Sequence, residues 1–157
     1  MTMRFAVLLA SVLATLAPAA VLAQHNHAAH EAQGAALVPP PAQPWAPDAT
    51  LSSDMGQIHT ALEQLRHYEM GHMDATLAKD RVDAIQGAAA DIFDKCTLTP
   101  EKDAVLHSML VPLLAAAQKF QADPRDVAQL AAMREAVAAY PHYFAAPDWA
   151  AEAAHAH

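Results

Sequence analysis

Between residues 51 and 140 the apolar residues recur at three- and four-residue intervals, the period of helices that bury one face. Met55, Ile58, Leu62 and Leu65 make the first stripe, with Ser52 and Ser53 as candidate caps before it and Gly71 as the stop after it. Val82, Ile85, Ala89, Ile92 and Cys96 make the second, over about residues 74–95, while Asp80, Asp83, Asp91 and Asp94 fall on the opposite side. Thr99-Pro100-Glu101 reads as cap, first-turn proline and first-turn acid of a third helix. Its stripe is Leu106, Leu110, Leu113, Leu114 and Ala117, and Pro112 inside it predicts a kink. Asp123-Pro124 repeats the start signal for a fourth helix, with Val127, Leu130, Met133 and Val137 on one face and Pro141 as its end. No strand-like alternation competes. The expected fold is all-α: an antiparallel four-helix up-down bundle over residues 51–149. Its rival is a looser three-helix core with the first helix docked by a partner.

The stretches outside the stripes have other patterns. Residues 1–4 are a short basic start, and 5–16 are an unbroken run of apolar and small residues. Pro18 breaks the run, and Val21-Leu22-Ala23 places small residues at the positions a signal peptidase reads. The run is shorter than the roughly 20 residues of a membrane span. Residues 1–23 are therefore expected to be a signal peptide cleaved near Ala23, and the protein periplasmic, with no membrane anchor afterwards. Residues 24–50 carry Pro39-Pro40-Pro41, Pro44 and Pro47, a density that favours extended chain over helix or sheet. They are expected to be a His- and Pro-rich disordered arm, which Trp45 could dock on the bundle, and 150–157 a second His-containing tail.

Charge and cysteine narrow the function classes. The chain carries 9 basic and 17 acidic residues, net −8. Loss of Arg4 with the signal peptide would take this to −9. Nucleic-acid binding needs a basic footprint and is not expected. The single Cys, Cys96, cannot form an internal disulfide, so it is buried, a metal ligand or an intermolecular partner. No Gly-rich phosphate loop, His-Glu-x-x-His or Cys-x-x-Cys-His is present, and the chain is not expected to be an enzyme.

Residues 59–73, HTALEQLRHYEMGHM, hold the chemistry: three His, two Met, two Glu and a Tyr. Imidazole with thioether points to copper among the metals, with zinc as the alternative. Antiparallel packing would gather Met55, His59, Cys96 and His107 at one end of the bundle, where core-facing side chains can hold an ion. His67, Met70, His72 and Met73 would form a second soft-metal cluster at the other end, around the Gly71 turn. His25, His27 and His30 are weak ligands on the arm, as are His155 and His157 on the tail. Glu69 falls within the first stripe and needs a partner, with Arg134 and Arg66 as candidates. Three functions are expected in order: soft-metal binding for storage, sensing or resistance; a metal-free periplasmic interaction or stress protein; and a b-type haem bundle with Met55 and His142 as axial ligands.

The runs HTALEQLRHYEMGHMD and DKCTLTPEKDAVLHSML, with the late P-H-Y-F and P-D-W, resemble a group of small exported proteobacterial helical proteins, some of them labelled DnrO proteins. The resemblance covers about residues 57–149. It implies a shared helical fold and ties Cys96 and His107 to one feature. The label borrows from an unrelated DNA-binding name, and the group has no settled activity.

Overall fold

The computed structural model describes residues 38–146 and Trp149. Among these residues there are six helices: α1 (Ala49–Gln64), α2 (Arg66–Glu69), α3 (Ala75–Lys95), α4 (Pro100–Ala122), α5 (Ala128–Val137) and α6 (Tyr140–Tyr143). The isolated bridge Trp45–Phe144 is the one β-type pairing among the described residues, so the fold is all-α. No helix among them is long and apolar enough to cross a membrane.

The stripes become one core. Met55, Ile58, Leu62 and Leu65 are buried, as are Val82, Ile85, Ala89 and Ile92, and Leu106, Leu110, Leu113 and Ala117. Phe120, Tyr140 and Phe144 are the largest side chains in it. The most extensive packing joins α1 to α3 and α4 to α5; α3 also meets α4, and α1 touches α5 more lightly. Polar contacts then tie the ends. The Tyr68 hydroxyl donates to the Pro124 carbonyl (3.1 Å), and Gln121 donates to the Lys79 carbonyl (2.9 Å). Arg134 is the partner of Glu69, at 2.6 Å, while Arg66 pairs with Glu63 instead, at 2.7 Å.

Helix starts depart from expectation where a better cap was available. α1 begins at Ala49, because Asp48 in extended backbone accepts a hydrogen bond from the Leu51 N–H at 2.7 Å. Ser52 and Ser53 are then exposed positions within the first turns. α5 begins at Ala128, not at Asp123-Pro124. The Asp123 carboxylate is held by Arg125, through its backbone N–H (3.2 Å) and its guanidinium (3.0 Å), and so closes a turn. Val127 lies in that turn and is 46% exposed, off the stripe it was assigned to. Pro141 does not stop the chain from coiling. It sits in the first turn of α6, where its missing N–H has no acceptor to serve.

The expected arm also divides. Residues 38–48 run against the C-terminal segment. The Trp45 N–H donates to the Tyr143 carbonyl (2.7 Å), the Ala145 N–H to the Trp45 carbonyl (2.9 Å), and the Tyr143 hydroxyl to the Val38 carbonyl (2.7 Å). The Trp45 ring meets Phe144 edge-on with centroids 5.4 Å apart, and Lys102 Nζ lies 5.6 Å from its centre. A large aromatic side chain and a short β pairing thus order a proline-rich stretch. Residues 24–37, with His25, His27 and His30, lie outside the described residues, as do 1–23 and 150–157.

Candidate functional site

The turn after α2 is where the sequence's ligand-type residues meet. Met70 caps α2, and Gly71 follows at φ +75°, a left-handed conformation that favours glycine. The Gly71 N–H then donates to the Tyr68 carbonyl (3.0 Å) and the His72 N–H to the His67 carbonyl (2.8 Å). These are the two backward bonds of a Schellman motif. In that motif the residues in the positions of His67 and His72 are brought side by side, commonly as a hydrophobic pair. Here both are imidazoles. Their ring centroids lie 6.5 Å apart with planes tilted by 38°. Both residues are exposed.

That spacing suits one ion. Two imidazole nitrogens bonded at about 2.0–2.1 Å to a common metal put their centroids about 6 Å apart when the arrangement is close to linear. Met70, between them in sequence, is 56% exposed, unusual for a thioether that packing could use. Met73 is partly buried against the core. Among the described residues, no three His, Cys, Asp or Glu side chains gather into a group that could hold a metal. The turn therefore offers two nitrogens and nearby sulfur, not a closed cage.

A groove of about 550 Å³ is lined mainly by residues of α1 and α2. His59, Glu63, His67, Met70 and Trp149 are among its lining residues. The Trp149 ring sits against His59, with centroids 4.4 Å apart, and against Tyr140 at 5.2 Å. So His59 shares a groove with His67 and Met70. Trp149 carried no periodic signal that could have placed it there.

The candidates assigned to the other end each make contacts of their own. Met55 is 1% exposed, within the apolar core. Cys96 ends α3 in extended backbone and is half-buried. Its thiol donates to Asp48 Oδ1 at 3.8 Å, the same oxygen that caps α1. Burial, then the Asp48 carboxylate, push the thiol up to about 11. His107 is engaged within its own helix. Its Nδ1 lies 3.0 Å from the Asp103 carbonyl and 3.3 Å from the Asp103 carboxylate, and its ring lies 4.8 Å from Phe93. The bond to the carbonyl requires Nδ1 to be the donor and leaves Nε2 as the open nitrogen. His142 is exposed on α6. Tyr140, missed from sequence, buries a hydroxyl with no hydrogen-bond partner in the structure, and burial raises its pKa. Asp48 was also missed, although Pro-Asp ahead of a helical stripe is a cap signal.

No family model, no curated protein and no solved structure matches the chain.

Proposed function

We propose that this is a periplasmic soft-metal-binding protein whose ion, copper(I), is held between His67 and His72 on the Schellman turn. The observation that carries the reading is the 6.5 Å separation of two exposed imidazoles on a turn whose backbone is closed by hydrogen bonds. Neutral imidazole is a good copper ligand, thioether is a soft one, and Cu(I) accepts low coordination numbers that harder ions do not. The fold that presents the turn is read as an antiparallel four-helix up-down bundle built from α1, α3, α4 and α5. Contacts between Asp48 and Cys96, between Tyr68 and Pro124 and between Lys79 and Gln121 support that arrangement, since each joins ends far apart in sequence. Export on a signal peptide cleaved near Ala23 completes the reading, and the kinship with the exported proteobacterial group is part of the same proposal.

Copper(I) affinity, measured by competition with a chromogenic chelator, tests it. Replacing His67 or His72 by Ala should weaken binding about tenfold or more, since even losing an outer-shell partner costs 10–100-fold at metal sites. Cys96→Ser and His107→Ala should leave affinity within threefold. Loss of binding on deleting residues 25–30, with both turn variants unchanged, would move the site to the arm. Wild-type binding no tighter than micromolar would instead favour the metal-free interaction protein.

A further inference from the structure

Two contacts between α3 and α4 fix which of their faces meet at the surface. The rings of Phe93 and His107 lie 4.8 Å apart, and the Gln121 amide donates to the Lys79 carbonyl at 2.9 Å. Phe93 to Lys79 and His107 to Gln121 are each fourteen positions. The two helices therefore run side by side in opposite directions, in step, for about 21 Å. Helical spacing puts Ala90, Val111 and Leu114 on the seam between those contacts. Phe93 is 38% exposed and Val111 46%, and Ala90, Pro112 and Ala115 are exposed too. Residues 84–90 and 104–118 contain no Asp, Glu, Lys or Arg, in a chain of net charge −8. α4 buries Leu106, Leu110 and Leu113 on its inner side, so it is apolar on both sides. A helix apolar all round is one that is covered all round, and here the outer side is open.

The ends of the seam carry opposite charge. Asp103, 3.3 Å from His107 and half-exposed, stands at the Phe93 end. The lysines nearby are engaged elsewhere, Lys95 with Asp91 and Lys102 over the Trp45 ring. Lys79 stands at the Gln121 end, where the one neighbouring acid on the seam, Asp83, accepts from the Gln121 amide. We propose that this seam docks a second copy of the chain, about a two-fold axis over Ala90 and Val111. The rotation turns one copy end for end, so Lys79 of each copy faces Asp103 of the other and the uncharged middles pack together. Two copies of so acidic a chain repel one another in most orientations, and this one sets no carboxylate against its own image. Two helices about 8–10 Å apart present a face of roughly 20 by 20 Å over that length. That is at the lower end of specific interfaces, and it fits a dimer of micromolar strength.

Sedimentation velocity on the purified protein, from about 1 to about 500 µM, tests this across the range expected of a small interface. The weight-average coefficient should climb from monomer to dimer. Val111→Glu places a carboxylate on the axis beside its own image and should weaken association at least about tenfold. Val127→Glu, at an equally exposed apolar position off the seam, should leave association unchanged. Far-ultraviolet dichroism should show both variants folded, since both sites are open to solvent. Lys79→Glu and Asp103→Lys should each weaken the dimer about two- to fivefold, the scale of an exposed ion pair, and the double variant should restore it. A monomer at every concentration would overturn the proposal and leave the seam to a different protein. Equal effects of Val111→Glu and Val127→Glu would also overturn it, and so would a double charge variant no better than the single ones.

Discussion

Cys96 sits beside the carboxylate that caps α1, and that carboxylate helps to set the thiol's chemistry. A thiol pushed up to about 11 is protonated at neutral pH, so it is a poor nucleophile despite being partly exposed. The shift from 9.0 leaves about a hundredfold less thiolate than a free cysteine has below pH 9. Iodoacetamide should therefore alkylate Cys96 about a hundredfold more slowly in the folded chain than in urea at pH 8. The folded pKa is the raised one, so this group's contribution to stability is complete below about pH 9. It is lost as pH climbs toward 11. Asp48→Asn keeps a capping side chain while removing the charge. It should raise the alkylation rate several-fold with little loss of helix. Equal rates in wild type and Asp48→Asn would show that burial alone sets the thiol's pKa.

Helices were the legible part of the sequence, and their ends were not. The stripe from Met55 to Leu65 is buried as spaced, because an amphipathic helix has one way to hide four large apolar groups. Cys96 fell on the same kind of stripe but is the residue where α3 stops, so the helical wheel no longer describes its direction. Val127 missed the core for the same reason at the start of α5. His67 and His72 were both named as candidate ligands, yet spacing alone could not put them side by side. Five residues apart on a continuous helix they would point to different sides. It takes the reversal at Gly71 to bring the rings together. Gly71 has open space around it, so a methyl group there meets no neighbour and the cost of Ala is purely backbone. Gly71→Ala should destabilise the fold by about 1 kcal/mol, the scale of the left-handed penalty for an L-residue, and should weaken Cu(I) binding about as much as losing one imidazole. Thermal melts and chelator competition on that one variant measure both. A stability loss with affinity intact would mean that the turn does not position the ligands.

Across the whole molecule, the two ends of the described chain hold one another. Residues 38–48 were legible only as proline-rich and extended, since nothing local says what an aromatic such as Trp45 will rest on. The answer depends on Phe144 and Tyr143, about a hundred positions away, and on Lys102 in between. Such a contact closes a long loop, and its stability effect should be correspondingly plain. A chain starting at Asp48 should melt several degrees below one starting at Val38, because it loses the Trp45 ring and the three hydrogen bonds between its two end segments. Matching melts would mean that the clasp is dispensable and that the core from Leu51 to Phe144 carries the stability by itself.

The clasp also decides what light can report about this protein. The chain has two tryptophans, Trp45 and Trp149. One rings Phe144 on the proline-rich stretch, and the other covers His59 and Tyr140 at the edge of the groove. Neither lies among the fully buried side chains shared by α1, α3, α4 and α5. Intrinsic emission thus gauges two places at the rim of the core, the Trp45–Phe144 joint and the Trp149 contact with His59 and Tyr140. An unfolding curve drawn from fluorescence follows those two rim contacts, and one drawn from far-ultraviolet dichroism follows the helices.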